Sequence, residues 1–253
     1  MIDTDGRRDW LALAEQAARA GAEALAHAAK HGRVVEREEG RETKIVADVK
    51  AEDAIVSVLQ AGSPFPILSE EAGDLGGALA TVGFRWIVDP LDGSLNYSRD
   101  IPLSVVSVAL WDRDDAVLGV LIDPARQDVY TGLVGDGACL NGAPVSVSRI
   151  DAMKDAVLCT GFPVGADFST EALMGVVQRV QGFKKVRMLG SAALSLAYVA
   201  CGRAEVYRED EIKLWDVAAG IAIVLSAGGT VRIKPGHQPL TRKVTAGNGR
   251  FAT

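Results

Sequence analysis

Apolar and polar residues alternate along the chain with two different periods, and these periods predict its helices and strands. Residues 9–30 are rich in alanine and repeat small apolar side chains every three or four positions, which predicts an amphipathic helix. Its buried stripe is predicted to contain Leu11, Ala14, Ala18, Ala22 and Leu25. Later apolar runs separated by turn residues predict an antiparallel sheet. They cover residues 84–88, 103–111, 116–123 and 128–134.

The pattern changes near residue 152, where short strand-like runs begin to alternate with helical ones. Such alternation is typical of an α/β unit. The predicted strands are residues 156–160 and 184–189, and the predicted helices are residues 169–181, 191–201 and 215–227. We therefore predict two domains, an N-terminal α+β half at residues 1–150 and a C-terminal α/β half at residues 151–253.

A strongly charged segment separates the first helix from the predicted sheet. Residues 33–44 carry eight charged side chains in twelve positions, four of each sign, with Gly40 among them. Such a mixture of charges around a glycine favours a solvated hairpin.

The candidate chemistry is concentrated after the apolar run that ends at Val88, in the turn Asp89-Pro90-Leu91-Asp92-Gly93-Ser94. Pro90 fixes one backbone angle and Gly93 permits a conformation closed to other residues, so the turn can aim both carboxylates at a hard cation. A merely solvated turn would need neither residue. A helix-loop-helix calcium site places its acids at alternate positions, and haloacid dehalogenase phosphatases space their two aspartates by two. The spacing of three disfavours both.

Acidic residues in four separate segments border apolar runs and could meet in one cleft. They are Asp48, Glu70, the pair Asp89 and Asp92, and Asp216. A phosphate ester could approach that many carboxylates only with cations between them, because like charges at about 4 Å repel by roughly 4 kcal/mol at an effective dielectric of 20. Oxygen ligands favour magnesium or manganese over zinc, and no two of His27, His31 and His237 form a metal-binding pair at helical spacing.

Composition narrows the class of protein further. A net charge of −6 argues against general nucleic-acid binding, and 48% hydrophobic with 24% charged residues indicates an ordinary soluble globular protein. Three cysteines without CxxC spacing, Cys139, Cys159 and Cys201, are expected to be core residues in a reducing compartment. Neither a signal peptide nor a membrane-spanning apolar run is recognisable, so we expect a cytoplasmic protein that does not bind membranes.

The segment Asp89-Pro90-Leu91-Asp92-Gly93-Ser94-Leu95-Asn96 resembles the signature of the inositol monophosphatase family of magnesium-dependent, lithium-sensitive phosphatases. Three further motifs resemble that family and stand in its order: Pro66-Ile67-Leu68-Ser69-Glu70-Glu71-Ala72-Gly73, Gly190-Ser191-Ala192-Ala193 and Leu214-Trp215-Asp216-Val217-Ala218-Ala219-Gly220. The resemblance implies an αβαβα layered sandwich of the type shared with fructose-1,6-bisphosphatase, and it implies a homodimer. It also implies that the charged segment at residues 33–44 covers the metal site.

The resemblance also implies roles for individual residues. Two or three magnesium ions, or manganese in their place, would be held by Glu70, Asp89, the Leu91 carbonyl, Asp92 and Asp216. The implied catalytic residues are Asp48, Glu70 and Ser94, of which Asp48 and Ser94 would orient the attacking water. Ser94 stands where the family more often has threonine. The implied substrate contacts are Asp92, Gly93, Ser94, Gly190, Ser191, Ala192, Glu209 and Asp216.

Structural explanations of some of these residues remain open at this point. Close helix packing would account for the small side chains after Gly190, and a solvated acid would account for Glu209.

For the substrate, a small phosphate ester such as inositol 1-phosphate or a related sugar phosphate is favoured. Fructose 1,6-bisphosphate, 3'-phosphoadenosine 5'-phosphate and histidinol phosphate remain alternatives, because Arg208 and Asp210 depart from the inositol pattern. A catalytically inactive ligand-binding homologue should have lost one of the acids, and none is lost.

Overall fold

The computed structural model describes residues 4–31, 35–39, 42–162 and 166–251, with side chains at all of these positions except 4, 5, 31, 35–39 and 42–44. In these ranges the helices are α1 Thr4–His31, α2 Val46–Gly62, α3 Ser94–Ser98, α4 Thr170–Val180, α5 Ala192–Ala200 and α6 Leu214–Ser226, with a 3-10 turn at Met153–Asp155. The strands are β1 Val35–Glu39, β2 Glu42–Ile45, β3 Ile67–Ser69, β4 Gly73–Leu75, β5 Phe84–Asp92, β6 Val105–Asp112, β7 Asp115–Asp123, β8 Asp128–Leu133, β9 Gly137–Leu140, β10 Ala143–Val145, β11 Val157–Cys159, β12 Lys185–Arg187, β13 Val206–Lys213, β14 Thr230–Pro235 and β15 Thr241–Gly247.

The strands form two large sheets that lie on either side of a helical layer. The first sheet has the order β10-β9-β8-β7-β6-β5-β3-β4, and the second has the order β12-β11-β13-β15-β14. Helices α1 and α2 cover one face of the first sheet, while α6 packs between the two sheets beside α5. Helix α4 faces the outer side of the second sheet across a cavity. This is the predicted layered αβαβα fold, and it confirms the predicted antiparallel run from β5 to β8.

Two hydrophobic cores follow from the alternation along the central strands. On β5, Trp86 and Val88 face the core under α1 and α2, whereas Ile87 faces the core beside α5 and α6. The first sheet ends at residue 145 and the second begins at residue 157. The division into two domains at residue 150 stays a prediction.

Helix α2 was missed in the sequence because two acids lie on its buried face. Asp48 and Glu52 are 3% and 4% exposed, and they share that face with Ala51, Ile55 and other apolar side chains. A pattern of apolar residues alone therefore cannot reveal this helix.

The predicted hairpin nearby is confirmed as the antiparallel pair β1 and β2. Residues 33–34 and 40–41 of the charged segment, and all of its side chains, lie outside the described part of the chain, so its covering role stays a prediction.

Glycines let α6 lie directly on the first sheet. An added Cβ at Gly119 of β7 would overlap the backbone of Ala219, and one at Gly132 of β8 would lie 2.7 Å from the Ile223 Cα. This close approach fixes the height of α6 over the sheet. The first turn of α6 carries Asp216, so the packing also sets the position of that carboxylate.

We expect Gly119→Ala to lower the free energy of unfolding by about 1–3 kcal/mol, because the new methyl group must push α6 away from the sheet. Urea denaturation measures the loss. Gly83→Ala is the matched control, since a Cβ there meets nothing within 4 Å. Equal stability of the two variants would show that α6 tolerates displacement.

Candidate functional site

The predicted acidic residues meet in one cavity of about 520 Å³, next to the end of β5 and the start of α6. Every predicted site residue except Asp48 lines it. They are Glu70, Asp89, Leu91, Asp92, Gly93, Ser94, Gly190, Ser191, Ala192, Glu209 and Asp216. Glu70 and Asp216, which are 146 positions apart in the sequence, thus line one cleft, which spacing alone could not establish.

The turn after β5 holds its side chains through short local contacts. The Leu91 N–H donates to Asp89 Oδ1 at 2.9 Å, and the Ser94 hydroxyl donates to the Leu91 carbonyl at 3.0 Å. Gly93 has a φ of 95°, and a Cβ there would lie 2.8 Å from the Leu103 carbonyl oxygen. Only glycine fits both constraints. The turn therefore holds Asp89, Asp92 and Ser94 along one wall.

Asp92 is held by the start of α5. The Ser191 hydroxyl and the Ala193 N–H each donate to Asp92 Oδ2 at 2.6 Å. Ser191 Oγ also accepts the Leu194 N–H at 3.1 Å as the helix cap. Ser191 thus positions a carboxylate and starts a helix, which explains its small polar side chain in addition to the predicted substrate contact.

Glu52 supports Glu70 and was not recognised in the sequence. Glu52 Oε1 accepts hydrogen bonds from the Ser69 hydroxyl, from the Glu71 N–H at 3.2 Å and from the Ala72 N–H at 3.1 Å. These contacts surround Glu70 where β3 ends. The available signal was an acid on the buried face of a helix, which becomes visible only when α2 is recognised.

We expect Glu52→Ala to lower kcat for the phosphate ester hydrolysis that the family resemblance implies by about 10–100-fold, because Glu70 loses the contacts that orient its backbone. The unfolding free energy should fall by about 1–3 kcal/mol, since the buried Ser69 hydroxyl and two part-buried N–H groups lose their acceptor. Asp53→Ala, at the exposed neighbouring position on α2, is the control and should change neither. An unchanged kcat in the Glu52→Ala variant would show that Glu52 does not position Glu70.

Burial and mutual repulsion dominate the electrostatics of the acids. Burial raises the pKa of Asp89 well above its usual range, and the charges of Glu70, Asp92 and Asp216 raise it further. Burial raises the pKa of Asp92 to about 6 although the hydrogen bond from Ser191 opposes the shift. Burial, followed by the charges of Glu70 and Asp92, also raises the pKa of Asp216. These carboxylates resist ionising together unless positive charge joins them.

Glu209 shares this cavity but has a different setting. Its carboxylate accepts the Tyr207 hydroxyl at 3.1 Å, and burial raises its pKa to about 7. Gly161 packs against it, because a Cβ at Gly161 would lie 2.8 Å from Glu209 Oε2. The structure therefore excludes the interpretation of Glu209 as a solvated acid, since it is 8% exposed.

The chemistry of the donor set fits a hard divalent cation. Among the described residues that line the cavity, the charged groups are Glu70, Asp89, Asp92, Glu209, Glu211 and Asp216 with the single cation Lys213, and neither histidine nor cysteine is present. Oxygen-only ligands suit magnesium and manganese. In the described ranges no three acidic, histidine or cysteine side chains already converge as a metal cage, and Glu70 and Asp89 instead share a hydrogen bond. Loss of that shared proton would free both carboxylates to bind an ion.

Asp48, predicted to orient the attacking water, does not line this cavity. It lies in the first turn of α2, where its Oδ2 accepts the Ile45 N–H at 3.1 Å as a helix-capping contact. Its catalytic role stays a prediction.

His237 and the three cysteines, which the sequence predicts to have no part in the chemistry, do not line the carboxylate cavity. His237 Nδ1 lies 2.8 Å from Glu211 Oε1 in an exposed contact. All three thiols are free, with Cys159 buried as predicted and Cys139 and Cys201 half-buried. Within the described ranges, no helix combines the length and apolar character that a bilayer span requires.

Comparison with known proteins gives the family. The profile of the inositol monophosphatase family matches residues 7–252. An inositol-1-monophosphatase from Mesorhizobium japonicum is 40% identical over 210 residues, covering 80% of this chain and 77% of that protein. A protein named Nus factor SuhB from Escherichia coli K12 is 36% identical over 207 residues, covering 80% of this chain and 77% of that protein. The solved structure of an inositol monophosphatase from Anabaena has a TM-score of 0.81 at 31% sequence identity, and the match covers 96% of this chain and 92% of that chain. The chain belongs to the inositol monophosphatase family.

Proposed function

We propose that this protein hydrolyses a small phosphate monoester with the help of magnesium, with inositol 1-phosphate or a related sugar phosphate as substrate. One observation carries the proposal, namely that six carboxylates and one lysine line the same cavity, with neither histidine nor cysteine among its described lining residues. Such a cavity repels a phosphate dianion unless divalent cations are present.

Each group in the cavity has a proposed task. Glu70, Asp89, Asp92, Asp216 and the Leu91 carbonyl would hold two or three magnesium ions, or manganese ions in their place. Bound there, such ions lower the pKa of a water molecule and offset the charge of the phosphate.

The chain's own groups complete the arrangement. The backbone N–H groups of Gly93 and Ser94 are proposed to donate to the phosphate oxygens. The Ser94 hydroxyl, 3.0 Å from the Leu91 carbonyl, is proposed to orient the attacking water together with Asp48. Water attacks phosphorus directly in this scheme, so no side chain becomes phosphorylated.

Glu209 supports a polyhydroxylated alcohol as the leaving group. Its carboxylate is fixed by the Tyr207 hydroxyl and borders the metal-binding wall, so ring hydroxyls of the substrate can donate to it. Fructose 1,6-bisphosphate, 3'-phosphoadenosine 5'-phosphate and histidinol phosphate remain the alternative substrates. We further propose lithium inhibition, a homodimer and a cytoplasmic location, the last of which the free thiols favour.

A binding role without catalysis is the second candidate function. Relatives that are 36% identical over most of the chain carry the name Nus factor SuhB, which does not describe a phosphatase. The retained acids argue against loss of catalysis, since a protein that only binds a partner has no need of buried, mutually repelling carboxylates.

A substrate panel separates these possibilities. Phosphate release should be measured from inositol 1-phosphate, fructose 1,6-bisphosphate, 3'-phosphoadenosine 5'-phosphate and histidinol phosphate, each with magnesium and then with added lithium. We expect magnesium-dependent, lithium-inhibited release that is fastest with inositol 1-phosphate. A different preferred ester would move the assignment to another branch of the family, and absence of release from all four would favour the binding role.

A further inference from the structure

A second cavity, of about 500 Å³, adjoins the carboxylate cavity on the outer face of the second sheet. The two cavities share a wall made of Thr160, Gly161, Phe162, Glu209 and Glu211. Glu209 is the residue proposed to receive the substrate's hydroxyl groups. An alcohol held by Glu209 therefore lies at the junction of the two cavities.

The second cavity is mainly apolar and contains aromatic rings. Phe162, Phe183 and Phe251 line it, and from α4 come Ala172, Val176 and Val180, which repeat every four residues along one face. None of the eleven residues of α4 is buried, so this apolar stripe stays accessible from the cavity. Ligand pockets typically measure about 300–1,000 Å³ and have largely apolar walls, and this open cleft falls within that range.

Polar or charged side chains make up nine of the twenty lining residues. Arg208 and Asp210 of β13 line the cavity together with Val206, and both of these charged residues are exposed. Arg208 and Asp210 are the two positions that depart from the inositol pattern. The Arg208 guanidinium, which lines the same cavity as three phenylalanine rings, can stack on a flat aromatic group, and the Asp210 carboxylate can accept hydrogen bonds from the edge of that group.

The junction between the cavities depends on a glycine. A Cβ at Gly161 would lie 2.8 and 2.9 Å from the two carboxylate oxygens of Glu209. Any side chain at this position would displace Glu209 or occupy the space between the cavities. The sequence thus keeps the wall thin at the point where an alcohol would cross it.

We infer that the second cavity is a specificity subsite that takes an aromatic group carried by the alcohol part of a phosphate monoester. This inference rests on the proposed phosphatase function and names a wider substrate class for the same site. The reaction is unchanged, since water forms the new bond to phosphorus, the ester P–O bond breaks, and the alcohol leaves with a proton. The subsite contributes binding energy for the alcohol alone.

The test compares two esters with similar alkoxide leaving groups, phenethyl phosphate and ethyl phosphate, with inositol 1-phosphate assayed in parallel. The wild-type protein should show a kcat/KM for phenethyl phosphate at least tenfold higher than for ethyl phosphate, because one ring becomes buried. In Val176→Trp, which fills the cavity, this ratio should fall close to one. Val177→Trp is the control at the adjacent exposed position of α4, and it should keep the wild-type ratio.

A second measurement avoids dependence on the folding of one variant. Phenethyl alcohol should inhibit ethyl phosphate hydrolysis by the wild-type protein, whereas ethanol at the same concentration should not. The subsite would be overturned by equal kcat/KM for the two esters in the wild type, or by an unchanged ratio in a folded Val176→Trp protein. In either case, release from inositol 1-phosphate would leave the phosphatase function standing. No release from any of the three esters would overturn both.

Discussion

Asp89→Asn is expected to lower kcat for phosphate release by at least about 10³-fold. Asp89 is 1% exposed and lies between Glu70, Asp92 and Asp216, whose charges all act on it. An amide at this position removes one negative charge from the centre of the proposed metal-binding wall. Loss of a ligand that fixes catalytic metal ions removes stabilisation made chiefly in the transition state. Initial rates with saturating magnesium and inositol 1-phosphate measure the effect.

The matched control for this variant is Asp114→Asn, an aspartate whose side chain is 98% exposed at the turn between β6 and β7. It should keep wild-type kcat. A thermal melt supplies an independent readout, because magnesium should raise the melting temperature of the wild type and of Asp114→Asn but not that of Asp89→Asn. If Asp89→Asn kept most of its activity, Asp89 would not be a metal ligand.

The second large effect is a loss of stability with rising pH in the metal-free protein. Burial raises the pKa of Asp92 to about 6 and that of Glu209 to about 7, both above the values of an unfolded chain. Between about pH 4 and pH 7 the folded protein therefore holds more protons than the unfolded one, and its stability falls as the pH rises. For Asp92 alone the shift corresponds to about 3 kcal/mol, or a melting temperature lower by roughly 6–12 °C.

Differential scanning calorimetry in EDTA at about pH 4 and about pH 8 measures this dependence, because this interval spans the titration of both carboxyl groups in the folded and unfolded chain. Magnesium should restore stability mainly at the higher pH, because metal and protons compete for the same carboxylates. The double variant Asp92→Asn with Glu209→Gln should show a flatter profile and a smaller magnesium effect. A wild-type protein whose melting temperature rises between the two pH values would contradict the assigned pKa shifts.

The elements that the sequence reveals best are those whose burial follows a simple apolar period. The sequence predicts helix α1 and strands β5 to β8 because apolar residues dominate their buried faces, with buried polar residues such as Asp89, Ser107 and Asp123 as exceptions. Strand β13 was not predicted, because its sequence VYREDEIK alternates buried residues with charged ones and is interrupted by a register shift between Glu209 and Ile212. Glu209, which lines the site, stands where this register shift begins.

The candidate site was predictable as a set of residues but not as a network. The turn from Asp89 to Ser94 shows its chemistry in its spacing, and the structure brings these residues together with Glu70 and Asp216. The contacts of Glu52 with the Ser69 segment and of Ser191 with Asp92 join residues 17 and 99 positions apart. Local sequence carries no signal for pairs of this kind, because only the packing of α2 and α5 against the sheet ends creates them.

The central claim is that the carboxylate cavity binds divalent cations in order to hydrolyse a phosphate monoester. It is tested most directly by measuring phosphate release from inositol 1-phosphate by the purified protein, first in EDTA and then during titration with magnesium. We predict no release in EDTA and a saturable rise with magnesium. Release that is equal with and without the metal, or no release at any magnesium concentration, would contradict the account.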